Sequence, residues 1–333
     1  MTTVSPAPRL QAAKQCSASL PFSVFGSITN GFQRYHLNNV IFLITSIVAA
    51  ATNVVVLLLG YGIIELVAAT TTVRILSFLA YRRSAYTAFP LLRIRWAHVR
   101  KARLREVTGF SAYLFIIDIA NKVSYTADAV VIGAFMSTAA VAIYSVGQRL
   151  TTTVGRLTRV LSEKLFPTIV DTAALDRRER LVLLFVQGTR LSLAMVIPLA
   201  STIALLAQPL VMAWVGPRFA GSVPVVQILA LAVAIKVGAM TSQSILKGTE
   251  NHRFLAASTA VAAVANLIVS VILLHQFGLV GVALGTLTPA VGISMFGVFP
   301  KAARVVGLSV GEAVRAAVWP AVWPAVGPAA LFL

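Results

Sequence analysis

Two lanes of ionisable residues run through otherwise apolar sequence. In "DIANKVSYTAD", Asp118, Asn121, Tyr125 and Asp128 recur at i, i+3, i+7 and i+10, the spacing of one helix face. Asp118 and Lys122 stand four residues apart in acid-first order and can neutralise each other across a turn; the competing reading has both facing a cavity. Asp128 has no partner at helical spacing, which makes it the candidate for cation coupling. In "GQRLTTTVGRLTRVL", Arg149, Thr152, Arg156 and Arg159 repeat the same spacing. An arginine fork donates two hydrogen bonds to one oxyanion, so a lane of them facing water suits phosphate or pyrophosphate. Pairing with the aspartate lane next door is the alternative, and Arg159 can also snorkel to the membrane surface. Lys236 in "LALAVAIKVGAM", Arg190 at the head of "RLSLAMVIPLA", and Arg74 complete the candidate cavity set.

The elements that must carry these lanes are apolar blocks. Of 333 residues, 58% are hydrophobic and 11% charged, against roughly 25% charged in soluble chains. Blocks of about 20 residues or more cross a hydrocarbon core of ~30 Å. Spans are expected at Asn39–Leu59, Gly62–Ala80, Val107–Ala134, Thr138–Phe166, Leu181–Trp214, Val223–Leu246, Phe254–His275, Leu279–Phe299 and Val310–Leu333, with a shorter apolar piece at Leu20–Phe32. The fold class is therefore all-α and integral to the membrane, with about nine transmembrane helices plus a partial one. An ionisable residue inside such a helix costs roughly 2.5–3.5 kcal/mol on insertion scales, so it is expected to face a cavity or a partner.

The net charge of +18 belongs to the connections. One set of alternate loops holds 18 Lys/Arg and the opposite set holds one, Arg218. The positive-inside rule makes the first set cytoplasmic. The basic excess thus reads as topology, with attraction to anionic lipid, and not as a nucleic-acid surface. Within the longest basic loop, Leu92, Trp96 and Val99 fall at helical spacing, as in a short interfacial helix; a disordered basic linker is the other reading. Trp214, Trp319 and Trp323 read as interface anchors. A single cysteine, Cys16, and four scattered histidines supply no metal or cofactor motif.

A repeat is visible. "SITNGFQRYHL" lies beside "SILKGTENHRFL", pairing Gly31 with Gly248 at an offset of 217, and "GIIELVAATT" lies beside "GLVGVALGTL", pairing Gly62 with Gly278 at 216. Six expected spans separate the copies, so both share one orientation, as in two six-helix bundles related by a pseudo-two-fold along the membrane normal. The expected organisation is a polar tail (1–19), the remnant of an N-terminal bundle (20–80), a basic cytoplasmic loop (81–106), a complete C-terminal bundle (107–300) and the start of further helices (301–333). On this register the counterpart of the helix from Val107 would precede Met1, so the expectation is a fragment of a larger transporter, with a truncated N-terminal bundle.

"TADAVVIGAFMSTAAVAIYSVGQRL", "LFPTIV", "QPLVMAWVGPRFAGSVPVVQILAL" and "ILKGTENHRFLAAS" followed by "FGLVGVALGTL" resemble, in order and spacing, the polysaccharide flippases. These are Wzx-like transporters of lipid-linked oligosaccharide, within the multidrug/oligosaccharidyl-lipid/polysaccharide exporter superfamily. The resemblance implies a V-shaped two-bundle transporter of the bacterial inner membrane. It would move polyprenyl-pyrophosphate-linked oligosaccharide to the outer leaflet by alternating access through a cationic cavity. It also implies coupling to H+ or Na+ and work beside a polysaccharide polymerase. On the matching stretch Asp128, Tyr144 and Arg149 occupy the family's acidic, tyrosine and polar or basic positions, and a cavity role is carried over for Asp128 and Arg149. A multidrug/cation antiporter of the same superfamily, or a non-transporting fragment, are the alternatives. No Asp-x-Asp metal site or large external loop points to an enzyme, and Asp118 and Asp128 stand about 15 Å apart along a helix, too far for paired acid–base work.

Overall fold

The computed structural model describes residues 24–32, 34–92, 101–175 and 177–323, and it is helical throughout these, with no strand among them. The polar tail, the Trp96 segment and the last ten residues lie outside the described residues. Two compact units meet in sequence between Arg100 and Lys101.

The first unit contains a short helix α1 (24–31), α2 (Tyr35–Leu58) and α3 (Ile63–Ala88). Thr29 is fully buried at the α1–α2 corner, where its hydroxyl meets Asn38 Oδ1 at 2.9 Å while Asn38 Nδ2 donates to the Gly26 carbonyl at 2.8 Å. Gly60, at φ +75°, turns the chain between α2 and α3. That is a left-handed conformation in which a side chain is strained. None of α2's residues is buried, and Phe42, Leu43 and Ile47 project outward. α3 runs on through Tyr81, Arg82 and Arg83 to Ala88, into sequence expected as loop. Its hydrogen-bond ladder continues because nothing between Ala80 and Ala88 breaks a helix, and Pro90 follows directly.

The second unit is a bundle: α4 (Lys101–Phe135), α5 (Thr138–Ala174), α6 (Arg178–Leu205), α7 (Ala207–Val215), α8 (Ser222–Gly238), α9 (Met240–Gly248), α10 (His252–Ile293), α11 (Phe299–Val306) and α12 (Val310–Ala313). Ser137 caps α5 by accepting from the Ala140 N–H at 3.1 Å. Gly307, left-handed at φ +87°, closes α11. α10 is a hairpin: at Gly278 (φ 58°, ψ −132°) the helix breaks, and the return limb packs on the outgoing one. A side chain added at Gly285 would run into the backbone and hydroxyl of Ser270, so the two limbs touch where only glycine fits. α4 packs on α10, α5 on α6, α8 and α9, and α6 and α10 on α8.

The two largest of four buried apolar clusters among the described residues hold this unit. Val131, Ile132, Tyr144, Leu229, Leu274 and Val282 join α4, α5, α8 and α10. Ile117, Ile169, Phe185, Ile245, Leu255 and Phe299 join α4, α5, α6, α9, α10 and α11 near the ends that carry the basic loops, with Phe185 and Phe299 rings 5.6 Å apart. On the outgoing limb of α10, Val261, Val264, Ile268 and Ile272 are exposed at helical spacing while Asn266 and Ser270 are buried. Apolar faces outward and polar faces inward are the arrangement of a protein in lipid.

Five described stretches are long and apolar enough to cross a membrane: Tyr35–Leu58, Ile64–Ala88, Arg178–Leu205, Ser222–Gly248 and His252–Val306. The last includes the Gly278 reversal. α4 and α5, at 35 and 37 residues, exceed the ~20 a bilayer needs, but their charged lanes lower their hydropathy. The chain is a multi-pass membrane protein.

Candidate functional site

The centre of the second unit is a cavity of about 370 Å³ walled by α4, α5, α8, α9 and both limbs of α10. Its chemistry is uneven along its length. At one end, Asp128 of α4 is buried at 2% exposure. Tyr144 of α5 donates its hydroxyl to Asp128 Oδ2 at 2.6 Å, and Thr286 of the return limb donates to the same oxygen at 3.0 Å. Asn266 of the outgoing limb donates Nδ2 to the Thr286 oxygen at 3.0 Å and to the Gly285 carbonyl at 3.3 Å. One carboxylate thereby ties four helical segments together, while Asp128 Oδ1 and Asn266 Oδ1 keep no partner among the described residues. Gly285 makes this knot possible, since its bare Cα lets the limbs close until Asn266 reaches Thr286.

Toward the other end stand Arg156 and Arg159 of α5, both lining the cavity. They lie twelve and fifteen residues beyond Tyr144, about 18 and 22 Å along the helix. Lys236 of α8 lines the same cavity. The rest of the wall mixes apolar residues such as Leu229, Val233, Met240 and Ile293 with neutral polar ones, among them Asn121, Tyr125, Gln148, Thr152 and Gln243. Gln148 Nε2 donates to the Tyr125 carbonyl at 3.0 Å, fixing α5 to α4 between the two ends. Among the described residues, Asp128 is the one carboxylate in a lining that holds three cations.

Four residues of the second unit expected at the cavity, Arg149, Asp118, Lys122 and Arg190, do not line it. Arg149 is exposed on α5, one residue past Gln148 and so about 100° around the helix from it. The lane's inward centre is Gln148, Thr152, Gly155 and Arg159 rather than the arginines alone. Asp118 and Lys122 are exposed on α4 for the same reason, since Asn121, Ser124, Tyr125 and Asp128 form the inward arc. No ion pair joins Asp118 to Lys122 among the described residues, and none joins the arginine lane to the aspartate lane. Arg190 is exposed on α6, where its Nη2 donates to the Ala316 carbonyl at 2.8 Å. Arg74 is exposed on α3 of the first unit.

Residues 14–224 match a protein family described as polysaccharide biosynthesis protein, nearly two thirds of the chain. This chain belongs to that family. Two solved structures share its fold: an aspartate-to-asparagine mutant of the Vibrio cholerae MATE transporter VcmN, at TM-score 0.65, and the same transporter in its bent form, at 0.63. Each is 15% identical and is covered over 66% of its own length by 88% of this chain. This polysaccharide biosynthesis protein thus spans a little less than two thirds of those transporters. No curated protein sequence matches it. The family and the transporter fold agree with the flippase resemblance read from sequence.

In this family member the matched region contains Asp128, Tyr144 and both cavity arginines, whereas Lys236, Asn266 and Thr286 lie beyond it. Sequence reasoning passed over Asn266, Thr286, Gln148 and Gln243. Asn266 had a readable signal: it is the lone amide in "STAVAAVANLIVSVILL", and an amide in a membrane helix needs a partner on another helix. Thr286 had none, because a threonine in a helix ordinarily satisfies itself on its own backbone.

Proposed function

We propose that this protein is a flippase that carries polyprenyl-pyrophosphate-linked oligosaccharide from the cytoplasmic to the outer leaflet of the bacterial inner membrane. It would work by alternating access and without enzymatic chemistry. The observation that carries this reading is the cavity's uncompensated positive charge. Among the described residues Arg156, Arg159 and Lys236 face it, and the one carboxylate, Asp128, is already engaged by Tyr144 and Thr286. A pyrophosphate supplies the missing negative charge, and arginine forks suit its oxygens. The neutral amides and hydroxyls of the wall suit sugar hydroxyls. The full proposal includes nine spans, with α4 and α5 as the charged ones, and two bundles related by the sequence repeat. It also includes coupling to H+ or Na+ at Asp128, anionic lipid around the basic loops, and a polysaccharide polymerase receiving the product.

The test is flipping of a fluorescent polyprenyl-pyrophosphate oligosaccharide in vesicles holding the full chain. Replacing Arg156 and Arg159 together with alanine should lower the rate at least about tenfold, the equivalent of ~1.4 kcal/mol of lost interaction. Arg149→Ala should leave it within twofold. A double variant that flips at the normal rate would remove the phosphate role.

The unengaged Asp128 Oδ1 favours a second reading, a cation antiporter. Asp128→Asn that abolishes export of an organic cation, in a protein that never flips the lipid-linked sugar, would replace the first reading with the second.

A further inference from the structure

Proline leaves a gap in any helix it enters, because it has no N–H to give the carbonyl four residues back. Pro289 stands inside the return limb of α10, so the Gly285 carbonyl lacks its ordinary donor. Asn266 fills that gap from the outgoing limb, with Nδ2 3.3 Å from the Gly285 oxygen. A second case lies outside the cavity. Pro320 follows Ala316 by four residues, and Arg190 of α6 donates to the Ala316 carbonyl at 2.8 Å. In each case a side chain from another helical segment stands in for a missing backbone N–H.

Beyond Pro289 the return limb is irregular again. At Ser294–Val298 the ladder widens to a π turn, in which the Phe299 N–H reaches the Ser294 carbonyl, and Pro300 follows. Prolines and π turns are where helices bend. The stretch that runs from one to the other carries Ala290, Ile293, Ser294 and Val298, all of which line the cavity. Its outer face is unpacked. Met295 and Phe296 are 51% and 78% exposed, and a Cβ added at Gly292 or Gly297 would meet nothing within 4 Å. A Cβ at Gly278 would stand 3.9 Å from Met136 Cε, just before α5, so depth on both helices counts from one level. Residues 290–298 then lie about 18–30 Å down, level with Arg156 and Arg159 at about 27 and 32 Å.

We propose that residues 290–298 are a movable panel of the cavity wall, hinged at Pro289 and at the π turn, with Asn266 as its latch. With the latch made, the Gly285 carbonyl is satisfied and the limb is held straight through Pro289. With Asn266 turned away, that carbonyl is bare and the panel bends. Asn266 is a positioning residue, since it acts on the backbone of the limb. Its Nδ2 also donates to Thr286, which donates to Asp128, so the latch shares one hydrogen-bond chain with the buried carboxylate. Movement of the panel changes the width of the cavity at its arginine end. The inference takes the cavity as the transport path and does not depend on the cargo.

The experiment is backbone hydrogen exchange of the full chain in lipid nanodiscs, with no cargo added. Asn266→Ala should speed exchange at 290–298 at least about tenfold, because a bare buried carbonyl favours opening. Pro289→Ala supplies the missing N–H and should slow the same amides. In that background Asn266→Ala should change them by less than about threefold, since the two changes act on one carbonyl. This rescue separates a latch from a residue that only fills space. Arg190→Ala is the control and should leave 290–298 unchanged. An Asn266→Ala effect that persists in full beside Pro289→Ala overturns the proposal, and so does an equal rise in Arg190→Ala. Pro289→Ala removes no polar group, so it can be read even where Asn266→Ala does not fold. Unchanged exchange at 290–298 in that variant overturns the proposal by itself. A protein that never flips the lipid-linked sugar would give the same exchange pattern, so the two readings fail separately.

Discussion

The α2–α3 hairpin of the first unit and the α10 hairpin of the second carry the two similar stretches of sequence that begin at Gly62 and Gly278, and they use similar residues differently. Each follows one of the repeated Ser-Ile segments and reverses at a positive-φ glycine, Gly60 in one and Gly278 in the other. At the offset of 216 that pairs Gly62 with Gly278, Thr70 corresponds to Thr286 and Ala69 to Gly285. Thr70 donates to its own helix, at 2.8 Å to the Leu66 carbonyl and 3.0 Å to that of Val67. Thr286 donates instead to Asp128. What differs is the neighbouring residue. Position 69 carries a methyl group, whereas glycine at 285 lets Ser270 approach and Asn266 reach across.

The contrast breaks most decisively at Gly285. A valine there must displace the Ser270 backbone, so Gly285→Val should cost more than about 3 kcal/mol and remove most folded protein. Ala69→Val should stay within about 0.5 kcal/mol, read as monodisperse yield and unfolding midpoint of the two variants side by side. Equal tolerance at both positions would mean that the close approach is not what distinguishes the hairpins. The next effect is at the threonines. Thr286→Val leaves Asp128 with one donor and Asn266 with one acceptor fewer, at a cost of roughly 1–3 kcal/mol. Thr70→Val loses only a bond within its own helix and should cost under about 0.5 kcal/mol. The same midpoints measure both.

Much of this was legible in the sequence, and the limits follow from its physics. Apolar blocks and loop charge announced a polytopic helical protein, because lipid punishes any other pattern. The polar lanes suggested a cavity-facing set, and of it Asp128, Tyr125, Arg156 and Lys236 line one cavity of the second unit. Helical spacing fixes a face only to within an arc, however, and Arg149, Asp118 and Lys122 fell on the arc's outer edge. The partners of Asp128 were harder to read still. Thr286 lies 158 residues away, and no local pattern encodes which threonine abandons its own backbone. Arg190 shows the same limit from the other side, since the carbonyl it found, that of Ala316, has no signature in sequence.

The smallest test returns to the two turns. Gly60 and Gly278 both adopt φ values that a side chain resists, at +75° and +58°, so alanine at either should cost about 1 kcal/mol. The two need not cost the same. Gly278 combines its φ with ψ −132°, a region outside the small left-handed basin that asparagine tolerates. Gly278→Asn should therefore be no better than Gly278→Ala. If Gly60 sits within the left-handed basin, Gly60→Asn should recover part of the loss. Unfolding midpoints for the four variants decide it. Matching behaviour at the two glycines would make the turns equivalent and leave Gly285 alone as the origin of the site. A penalty confined to Gly278 would show that the second hairpin is specialised at its turn as well, before its limbs ever meet.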